Sequence, residues 1–543
     1  MKRIKSPCIT VAMAIASIST LPAVAQEAPS AGLIYQQSQD KKVTPLQPSV
    51  ELDFKSVPAV ESEAGGTKVR VKKITLQGHS VFASDALLLQ FGDYQEQEYD
   101  LAGLRYIADS ISQYYHEHGY PFVRTVLPVQ DLASGELRIE VIEGRYGRVA
   151  ASGESELASA AQPYLHRLRQ GQVIDSKSLE RSMLILGDQP GIAVIPVIRP
   201  GEQNGTGNLD VQVRQDQRVA ATVSADNHGS RFSGEYRGRA DLQINQALLF
   251  GDQLSVSTLY TNEDTWLGGL DYSLPLMANG LRGFVGYSHT DYTLGKGFEG
   301  YTGTAKVSSI GASYPLLRSQ KSNVRLQFNY QYKDLDDNVD FANYSKATRS
   351  ESIPLTLLFD HRDTWLGGGV SWGALTATPG KIKSNQDSLK KSNNDFFKVN
   401  FDVSRLQYVA NDLSLYGRVS GQWSDRKYLD GSESFYLGGP AGVRAYAVGE
   451  GSDSRGWLAQ LELRYSIGNG LSPYLLVDGG RTWNGGVDDG DDRAISGAGF
   501  GVRYSHAAWN ADLVSAWAVS GGDSQSDSKQ RKPRVWFNVG YSF

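Results

Sequence analysis

From Arg218 onward, apolar and polar residues alternate with a period of two, and this alternation limits the folds that the chain can adopt. In residues 322–333, apolar and aromatic side chains occupy the even positions from Val324, and polar side chains occupy the odd positions from Arg325. Successive side chains of a β-strand point to opposite faces, so each such segment predicts a strand with one apolar and one polar face. Both a β-sandwich and a membrane barrel use strands of this kind, so the alternation alone leaves both open.

The number and spacing of these segments favour the barrel. We predict sixteen strands from Val219 onward, with the eighth beginning near Ser350. Their connections mostly alternate between short turns and long loops, such as the loop predicted at Lys333–Thr348, and outer-membrane barrels show this asymmetry. The chain contains 58 Gly and 28 Tyr, and beyond its N-terminal segment it has no run of 18 apolar residues that would predict a helical membrane span. Residues 216–543 are therefore predicted to form a 16-stranded transmembrane antiparallel β-barrel.

Residues 1–25 have the pattern of a secretory signal peptide. A basic start precedes an apolar run and the small-x-small cleavage site Ala23-Val24-Ala25. The only cysteine, Cys8, lies in this segment, so the exported chain is predicted to have neither disulfides nor thiol chemistry. Removal of three basic residues lowers Lys and Arg from 54 to 51 against 59 Asp and Glu, a net charge of −8. This acidic balance argues against a nucleic-acid partner.

Three regions lie between the signal peptide and the barrel. Residues 26–66 combine a short predicted helix near Ser30 with a linker that is rich in Pro, Glu and Val and has no periodicity. Residues 67–146 and residues 147–215 each follow the order strand, helix, helix, strand, strand. We therefore predict two small α/β domains in tandem before the barrel.

Within the first α/β unit, Val69–Leu76 is predicted to be one strand, and Ser84 and Asp85 are candidates for the N-cap of a short helix. A second helix is predicted at Asp100–His118 from its apolar three- and four-residue steps. In the second unit, helices are predicted at Glu154–Gln170 and at Ser176–Gly187.

Each small sheet leaves an edge strand, and an exposed edge accepts an extended peptide through main-chain hydrogen bonds. Peptide capture and a rigid-spacer role are both open for these units.

The connection Asp425–Arg455 is unlike an ordinary surface loop, because it carries a run of apolar and aromatic residues, glycines and a single arginine near its tip, Arg444. The strand-like segment Tyr474–Trp483 that follows holds one acidic residue, Asp478. A guanidinium offers a planar fork of donors that suits one carboxylate. We predict an ion pair between Arg444 and Asp478 inside the barrel, although the spacing alone also allows an arginine that lies along a surface loop.

These residues also carry a family resemblance. The tip Val443-Arg444-Ala445-Tyr446 resembles the VRGY tip of the inward-folded sixth loop in two-partner secretion transporters (TpsB proteins), the haemolysin secretion/activation family of ShlB/FhaC/HecB type. Asp478 and Gly480 match that family's D-x-G motif on the barrel wall, and Phe543 resembles the C-terminal aromatic of outer-membrane assembly signals. Ala445 stands where the family has Gly, and alanine disfavours positive φ.

The resemblance implies a Gram-negative outer-membrane protein of the POTRA-plus-barrel superfamily, with the two α/β units as periplasmic POTRA domains and a candidate plug helix within residues 26–66. It implies a transporter that recognises one large secreted partner, a TpsA-like haemolysin or adhesin in unfolded form, and moves it to the cell surface without ATP. The other implied partners are outer-membrane lipids and lipopolysaccharide, and the barrel assembly machinery during biogenesis.

Two other functions share this architecture. An assembly or insertion factor for outer-membrane proteins has the same barrel, but such factors often carry more POTRA repeats. A passive porin would have no use for the POTRA units. Two units and a plug helix favour secretion over both.

No constellation in the sequence supports an enzyme, a cofactor or a metal site. Gly369–Gly373 matches G-x-S-x-G but lies in an alternating segment without a following helix, which the nucleophile elbow requires. His116 and His118 are two residues apart on a helix and do not share a face. The acidic run Asp488–Asp492 lacks EF-hand spacing. Four lysines in a predicted outer loop would either contact lipopolysaccharide phosphates or be solvated: Lys381, Lys383, Lys390 and Lys391.

Overall fold

The structure is a computed structural model that describes residues 28–39, 43–52, 65–385, 394–483 and 492–543. The predicted signal peptide with Cys8, residues 488–491 of the acidic run, and Lys390 and Lys391 lie outside the described residues. In the described ranges, no helix is both long enough and apolar enough to cross a membrane.

The N-terminal third folds into one short helix and two α/β units. After α1 (Ala31–Ser38), the first unit contains β1 (Val69–Val71), β2 (Lys73–Gln77), α2 (Ser84–Leu88), β3 (Gln97–Tyr99), α3 (Leu101–Glu117), β4 (Arg124–Val126) and β5 (Glu136–Ile142). The second contains β6 (Arg145–Gly153), α4 (Ser155–Ala161), α5 (Ser176–Gly187), β7 (Ile192–Pro200) and β8 (Thr206–Gln215). The sheet orders are β2-β5-β4 and β6-β8-β7, and β1 pairs separately with β3.

Two local predictions for the first unit were wrong. The strand predicted at Val69–Leu76 divides into β1 and β2, which belong to different sheets. The cap predicted at Ser84 or Asp85 is also wrong, because Ala83 is the N-cap residue of α2. Ser84 is already helical, and its hydroxyl hydrogen-bonds Nε2 of His79 at 2.9 Å instead of a backbone amide.

In the second unit, the helix predicted at Glu154–Gln170 is too long. Helix α4 ends at Ala161 and continues only as one 3₁₀ turn, Gln162–Leu165, with Pro163 at its start. Proline fits the first turn of a helix but cannot continue an α-helical ladder, so the segment changes its winding there. Helix α5 has the predicted bounds, and Asp175 caps it by accepting a hydrogen bond from Ser178 N at 2.7 Å.

Glu143 lies at the joint between the two units. It is 4% exposed, and its carboxylate accepts hydrogen bonds from Ser80 N (2.7 Å), Val81 N (2.9 Å) and Tyr115 Oη (2.9 Å). Arg145 of β6 adds a charged donor at 2.7 Å. Burial acts to raise the pKa of Glu143, but the donors from Ser80, Val81 and Tyr115 outweigh it, so the pKa lies below its ordinary value.

This contact predicts an acid-sensitive joint. A carboxyl whose pKa is depressed on folding stabilises the fold above its unfolded pKa of about 4.3, and the stabilisation is lost as the pH falls through the folded pKa. We therefore expect the α3 amides of the full-length protein to lose hydrogen-exchange protection as the pH falls below about 4. Glu143→Gln should reduce protection at neutral pH and remove this part of the pH dependence. Identical pH profiles for the two proteins would contradict this assignment.

The remaining strands, β9 to β25, close into one antiparallel barrel. Their bounds are β9 Val219–Asp226, β10 Arg237–Asn245, β11 Gln253–Thr261, β12 Trp266–Pro275, β13 Arg282–Thr293, β14 Tyr301–Arg318, β15 Ser322–Val339, β16 Tyr344–Ser352, β17 Leu355–Asp363, β18 Gly369–Ser384, β19 Asp395–Tyr408, β20 Leu413–Ser424, β21 Arg455–Tyr465, β22 Leu471–Trp483, β23 Arg493–His506, β24 Trp509–Ser520 and β25 Arg534–Ser542. Because β16 and β17 pair with successive parts of β15, they form one strand of the wall, and the barrel has sixteen strands. The sixteen-strand prediction is confirmed, and the sandwich alternative is wrong.

One predicted loop is instead mostly strand. Between Lys333 and Thr348, β15 continues to Val339 and β16 begins at Tyr344, six residues before the predicted Ser350. Here charged and polar residues stand on both faces, so the alternation that marks the other strands is absent. The strand pairing persists, with Asp334 opposite Arg349 and an Nε–Oδ1 distance of 3.2 Å between them. The wall strand formed by β16 and β17 is interrupted at Ile353 and Pro354, because Pro354 has no amide hydrogen to donate to the strand ladder.

The alternation separates an apolar outer face from a mostly polar interior. On β22, Leu475 and Val477 point outward with 61% and 58% of their surface exposed, whereas Leu476 and Asp478 point inward and are buried. The barrel closes where β25 pairs with β9 over five residue pairs, from Asn538 opposite Asp226 to Ser542 opposite Thr222. An outward apolar band of this kind is typical of a barrel wall that faces lipid.

Candidate functional site in the barrel interior

The connection between β20 and β21, residues 425–454, folds into the barrel, and we call it the inner loop. Its two arms meet where Phe435 and Asp453 exchange main-chain hydrogen bonds of 2.7 Å. Nearer the tip, Val443 N donates to Leu437 O at 2.7 Å, and Gly439 turns the chain with a φ of +110°. Of the apolar residues that distinguish this loop in the sequence, Leu437, Val443 and Tyr446 are buried and Phe435 and Tyr436 are half-buried, so the loop is a packed element of the interior.

Arg444 at the tip contacts Asp478 through three hydrogen bonds. Its Nη2 lies 2.7 Å from Oδ1, its Nε lies 2.8 Å from Oδ2, and its backbone N lies 3.1 Å from Oδ2. The Arg444 side chain is 5% exposed and that of Asp478 is 0% exposed. The structure therefore brings together the two residues that the sequence pairs, with the bidentate fork that a lysine cannot supply.

Sequence reasoning missed a second carboxylate in this cluster, that of Glu462. Arg444 Nη1 donates to Glu462 on β21, which is also bonded by Arg464 Nη2 at 2.6 Å. Arg503 Nη1 lies 3.8 Å from the same carboxylate, and its Nη2 lies 3.1 Å from Asp512. The available signal was the position of Glu462 on the polar, inward face of an alternating strand.

Around this ion cluster, the inner loop packs on an apolar patch of the wall. Val443, Ala445 and Tyr446 contact inward side chains of β21 to β25: Leu458, Tyr474, Leu476, Val514 and Trp536. Trp536 Nε1 donates to Arg444 O at 2.8 Å, and Tyr446 Oη donates to Ser520 O at 2.7 Å. This burial shields the Arg444 cluster from water, which strengthens its electrostatic contacts.

Two glycines of the wall make room for the tip. A Cβ on Gly480 would lie 2.7 Å from Cδ2 of Leu437 and 2.6 Å from Trp457 O, so a larger residue would push the loop inward. A Cβ on Gly497 would lie 2.6 Å from Cβ of Ala445. Ala445 is not one of the positive-φ residues, so its conformation does not require glycine, and Gly497 leaves space for its methyl group.

Phe543 lies beside the closing strand pair. Its backbone N donates to Ala221 O at 2.8 Å, and its carbonyl accepts a hydrogen bond from Gln217 Nε2 at 3.0 Å. Its ring is 66% exposed and packs edge-on against Tyr541 at 4.8 Å. The terminal residue thus extends the contact between the last and first strands.

Helix α1 also lies in the barrel interior, against β13 to β15. Ala31 N donates to Oδ1 of Asp337 at 2.6 Å, so a carboxylate faces the N-terminus of the helix. Arg237 Nη1 donates to Gln37 O at 3.3 Å near the C-terminus. Both charges complement the helix dipole. Ala31 and Ile34 are buried against the wall residues Tyr292, Ala305 and Leu335.

The enzyme-like and metal-like motifs form no site among the described residues. Ser371 of the G-x-S-x-G match lies within β18 and pairs with Arg405 of β19. His116 and His118 hydrogen-bond the backbone carbonyls of Val123 and Tyr114. Across the described ranges, no group of His, Cys, Asp or Glu residues is arranged to hold a metal ion. Lys381 lies on β18 with its Nζ 3.4 Å from Asp395.

Two family models match the sequence. The model described as "Haemolysin secretion/activation protein ShlB/FhaC/HecB" matches residues 205–504, which is more than half of the chain. The model described as "POTRA domain, ShlB-type" matches residues 69–144. The first match spans the inner loop and its contacts on β21 and β22, and the second coincides with the first α/β unit.

Individual relatives and solved structures agree with these matches. The heme/hemopexin transporter protein HuxB of Haemophilus influenzae is 24% identical over 477 residues, covering 84% of each chain. The outer membrane transporter CdiB of Escherichia coli O6:K15:H31 is 24% identical over 440 residues, covering 76% of this chain and 71% of that protein. The solved structure of CdiB from Escherichia coli has a TM-score of 0.74 at 21% identity, covering 91% of this chain and 94% of that one. CdiB from Acinetobacter baumannii has a TM-score of 0.63 at 19% identity, covering 94% and 96%.

Proposed function

This chain belongs to the haemolysin secretion/activation protein family (ShlB/FhaC/HecB), and from that membership we propose how its interior takes part in two-partner secretion. The protein is an outer-membrane transporter of an exoprotein partner, with its barrel in the membrane and its POTRA units in the periplasm. The partner passes outward in unfolded form and folds at the cell surface. Its folding outside disfavours return, so transport requires no nucleotide.

The observation that supports this proposal is the clamp between Arg444 and the wall. A lumen of sixteen strands is wide enough for water or a passing chain. Arg444, held by Asp478 and Glu462, keeps the inner loop inside that lumen. In this proposal Val443, Ala445 and Tyr446 pack the loop tip against the wall. Gly480 leaves the space that the loop occupies, because it has no side chain. The loop then shapes one wall of the conducting path.

Helix α1 is the second element of the closed state. It lies against the interior with both of its ends matched by charges, Asp337 at one and Arg237 at the other. We propose that α1 plugs the lumen when no partner is bound and leaves it during transport. The described part of the linker reaches the second α/β unit, since Arg318 of β14 binds both Gln47 O (3.4 Å) and Asp188 at the end of α5 (2.6 Å).

The partner is captured by the POTRA units. Strand β7 is at the edge of its sheet, and Ile195 on it is 42% exposed. Beside it lies a cavity of about 480 Å³, lined by apolar residues such as Phe122 and Leu209 and by residues 49–52 of the linker, which include Ser49 and Glu51. An unfolded segment that adds to β7 would gain main-chain hydrogen bonds and place alternate side chains in this cavity. A spacer role for the units remains the alternative.

Several parts of the proposal are not specific to the cargo. The outward apolar face contacts outer-membrane lipids, and the basic outer residues contact lipopolysaccharide. Phe543 is the assembly signal that the barrel assembly machinery recognises during biogenesis. The domain boundaries at residues 66, 146 and 215 stay predictions.

Co-expression with a candidate exoprotein, a large exported and repeat-rich protein encoded in a neighbouring reading frame, tests the function. We expect the partner to reach the medium or cell surface only when this chain is present. A deletion of residues 67–146 should leave the barrel folded and abolish export, as measured by immunoblotting of medium and membranes. Export without this chain, or a general loss of unrelated outer-membrane barrels when the chain is removed, would contradict the proposal and favour an assembly factor.

A further inference from the structure

A second buried ion cluster holds the base of the inner loop, separate from the Arg444 clamp. Glu433 is 2% exposed and lies between Lys333 of β15 and Lys398 of β19, with Nζ–carboxylate distances of 2.7 and 2.8 Å. Ser350 Oγ donates to the same carboxylate at 3.0 Å. The two lysines are 6% and 8% exposed. Their charges are thus balanced by one carboxylate that comes from the loop and not from the wall.

The same lysines also fix the loop backbone. Lys333 Nζ donates to Ser432 O at 3.0 Å, and Lys398 Nζ donates to Glu433 O at 2.9 Å. Gln422 Nε2 of β20 donates to Glu433 O at 2.9 Å. Residues 432 and 433 are therefore tied to three strands of the wall, and buried charges held by several partners resist displacement.

Helix α1 rests on this fixed segment, residues 430–434, which we call the seat. A Cβ on Gly32 of α1 would lie 2.5 Å from Asp430 Oδ1 and 2.6 Å from Ser432 N. A Cβ on Gly431 would lie 2.7 Å from Ser30 Oγ. Gln36 Nε2 donates to Ser434 O at 2.8 Å. Two glycines thus bring helix and loop into backbone contact, and a small shift of the seat would break it.

We propose that Glu433 is a positioning residue for α1: by binding Lys333 and Lys398 it holds the seat in place, and so sets how readily the helix leaves the barrel. This inference rests on the proposed plug role of α1. The Arg444 clamp acts on β21 and β22, whereas this cluster acts on β15 and β19, so the two are separable by mutation. Loss of the Glu433 charge leaves two buried lysines without their shared counter-ion and frees the seat to move.

The test uses the full-length protein in planar bilayers without any partner. Glu433→Gln should open the lumen at least about tenfold more often than the unmodified protein, because a tenfold change in populations corresponds to only about 1.4 kcal/mol. A thiol probe on Gln37→Cys in α1 should react correspondingly faster. Asp241→Asn is the matched control, since Asp241 is an interior carboxylate paired with Arg239 of its own strand at 2.8 Å. Equal opening of the control and Glu433→Gln, or no change in either measurement, would overturn the proposal.

A second variant acts from the helix side and leaves the wall and the inner loop intact. Gly32→Val places a side chain where Asp430 and Ser432 now lie, so it should raise opening to a similar degree. Combined with Glu433→Gln, it should add little, because both changes break the same contact. Fully additive effects, or normal gating by Gly32→Val, would overturn the role of the seat. Because no cargo is used, these outcomes are independent of whether the exoprotein is exported.

Discussion

Arg444→Ala is expected to abolish export of the partner while the barrel still assembles. The change leaves Asp478 buried with no counter-ion and takes from Glu462 one of its donors. Removing one member of a buried ion pair typically costs about 3–5 kcal/mol, because the charge left behind stays buried without its partner. The inner loop should leave the wall, whereas the ladder hydrogen bonds that hold the sixteen strands are untouched.

Export and assembly are measured separately. Secreted partner is quantified in the medium, and barrel folding is read from heat-modifiable electrophoretic mobility of the transporter. Asp478→Asn should show the same loss. Arg444→Lys is the matched control for charge, and it should recover only part of the export because an ammonium cannot make the fork to Oδ1 and Oδ2. Normal export by both Arg444→Ala and Asp478→Asn would contradict the clamp mechanism.

The barrel was predictable because each strand carries the alternation of apolar and polar residues that its two environments require. Lipid outside and water inside force a period of two wherever a strand crosses the membrane, so the barrel begins at the predicted Val219 and has the predicted sixteen strands. The rule fails where that cause is absent. Residues 334–349 continue the strand pairing beyond the apolar band and carry charge on both faces. A loop was predicted there, where the structure has the end of β15 and the start of β16.

The interior was predictable only in part. Arg444 stands out as the only charge in residues 435–446, and Asp478 as the only acidic residue in residues 474–483. Glu462 does not, since many inward positions of a polar lumen carry charge, and its role depends on which strand the loop tip reaches. The contact between α1 and the inner loop depends on Gly32 and Gly431, which are about 400 positions apart, and no local pattern pairs them.

That contact supplies the second large expected effect: a disulfide between Ser30→Cys and Gly431→Cys should block export when oxidised and restore it when reduced. A Cβ at position 431 would lie 2.7 Å from Oγ of Ser30. In a disulfide with an S–S bond of about 2.05 Å, each Cβ lies about 3 Å from the partner's sulfur, so the two positions are close enough to be bridged. The only native cysteine is Cys8, in the predicted signal peptide, so no other thiol competes. The bond would hold α1 on the inner loop, and both would then occupy the lumen together.

A cross-strand pair, Ser224→Cys with Gly540→Cys, is the matched control that also separates two routes of transport. These residues stand directly opposite each other where β9 meets β25, so a disulfide there locks the closing strands and leaves α1 free. If the partner passes through the lumen, only the Ser30–Gly431 bond should stop export and conductance, and dithiothreitol should reverse it. If the partner instead passes between β9 and β25, only the Ser224–Gly540 disulfide should stop export. Full export with α1 oxidised to the loop would rule out a plug that has to leave.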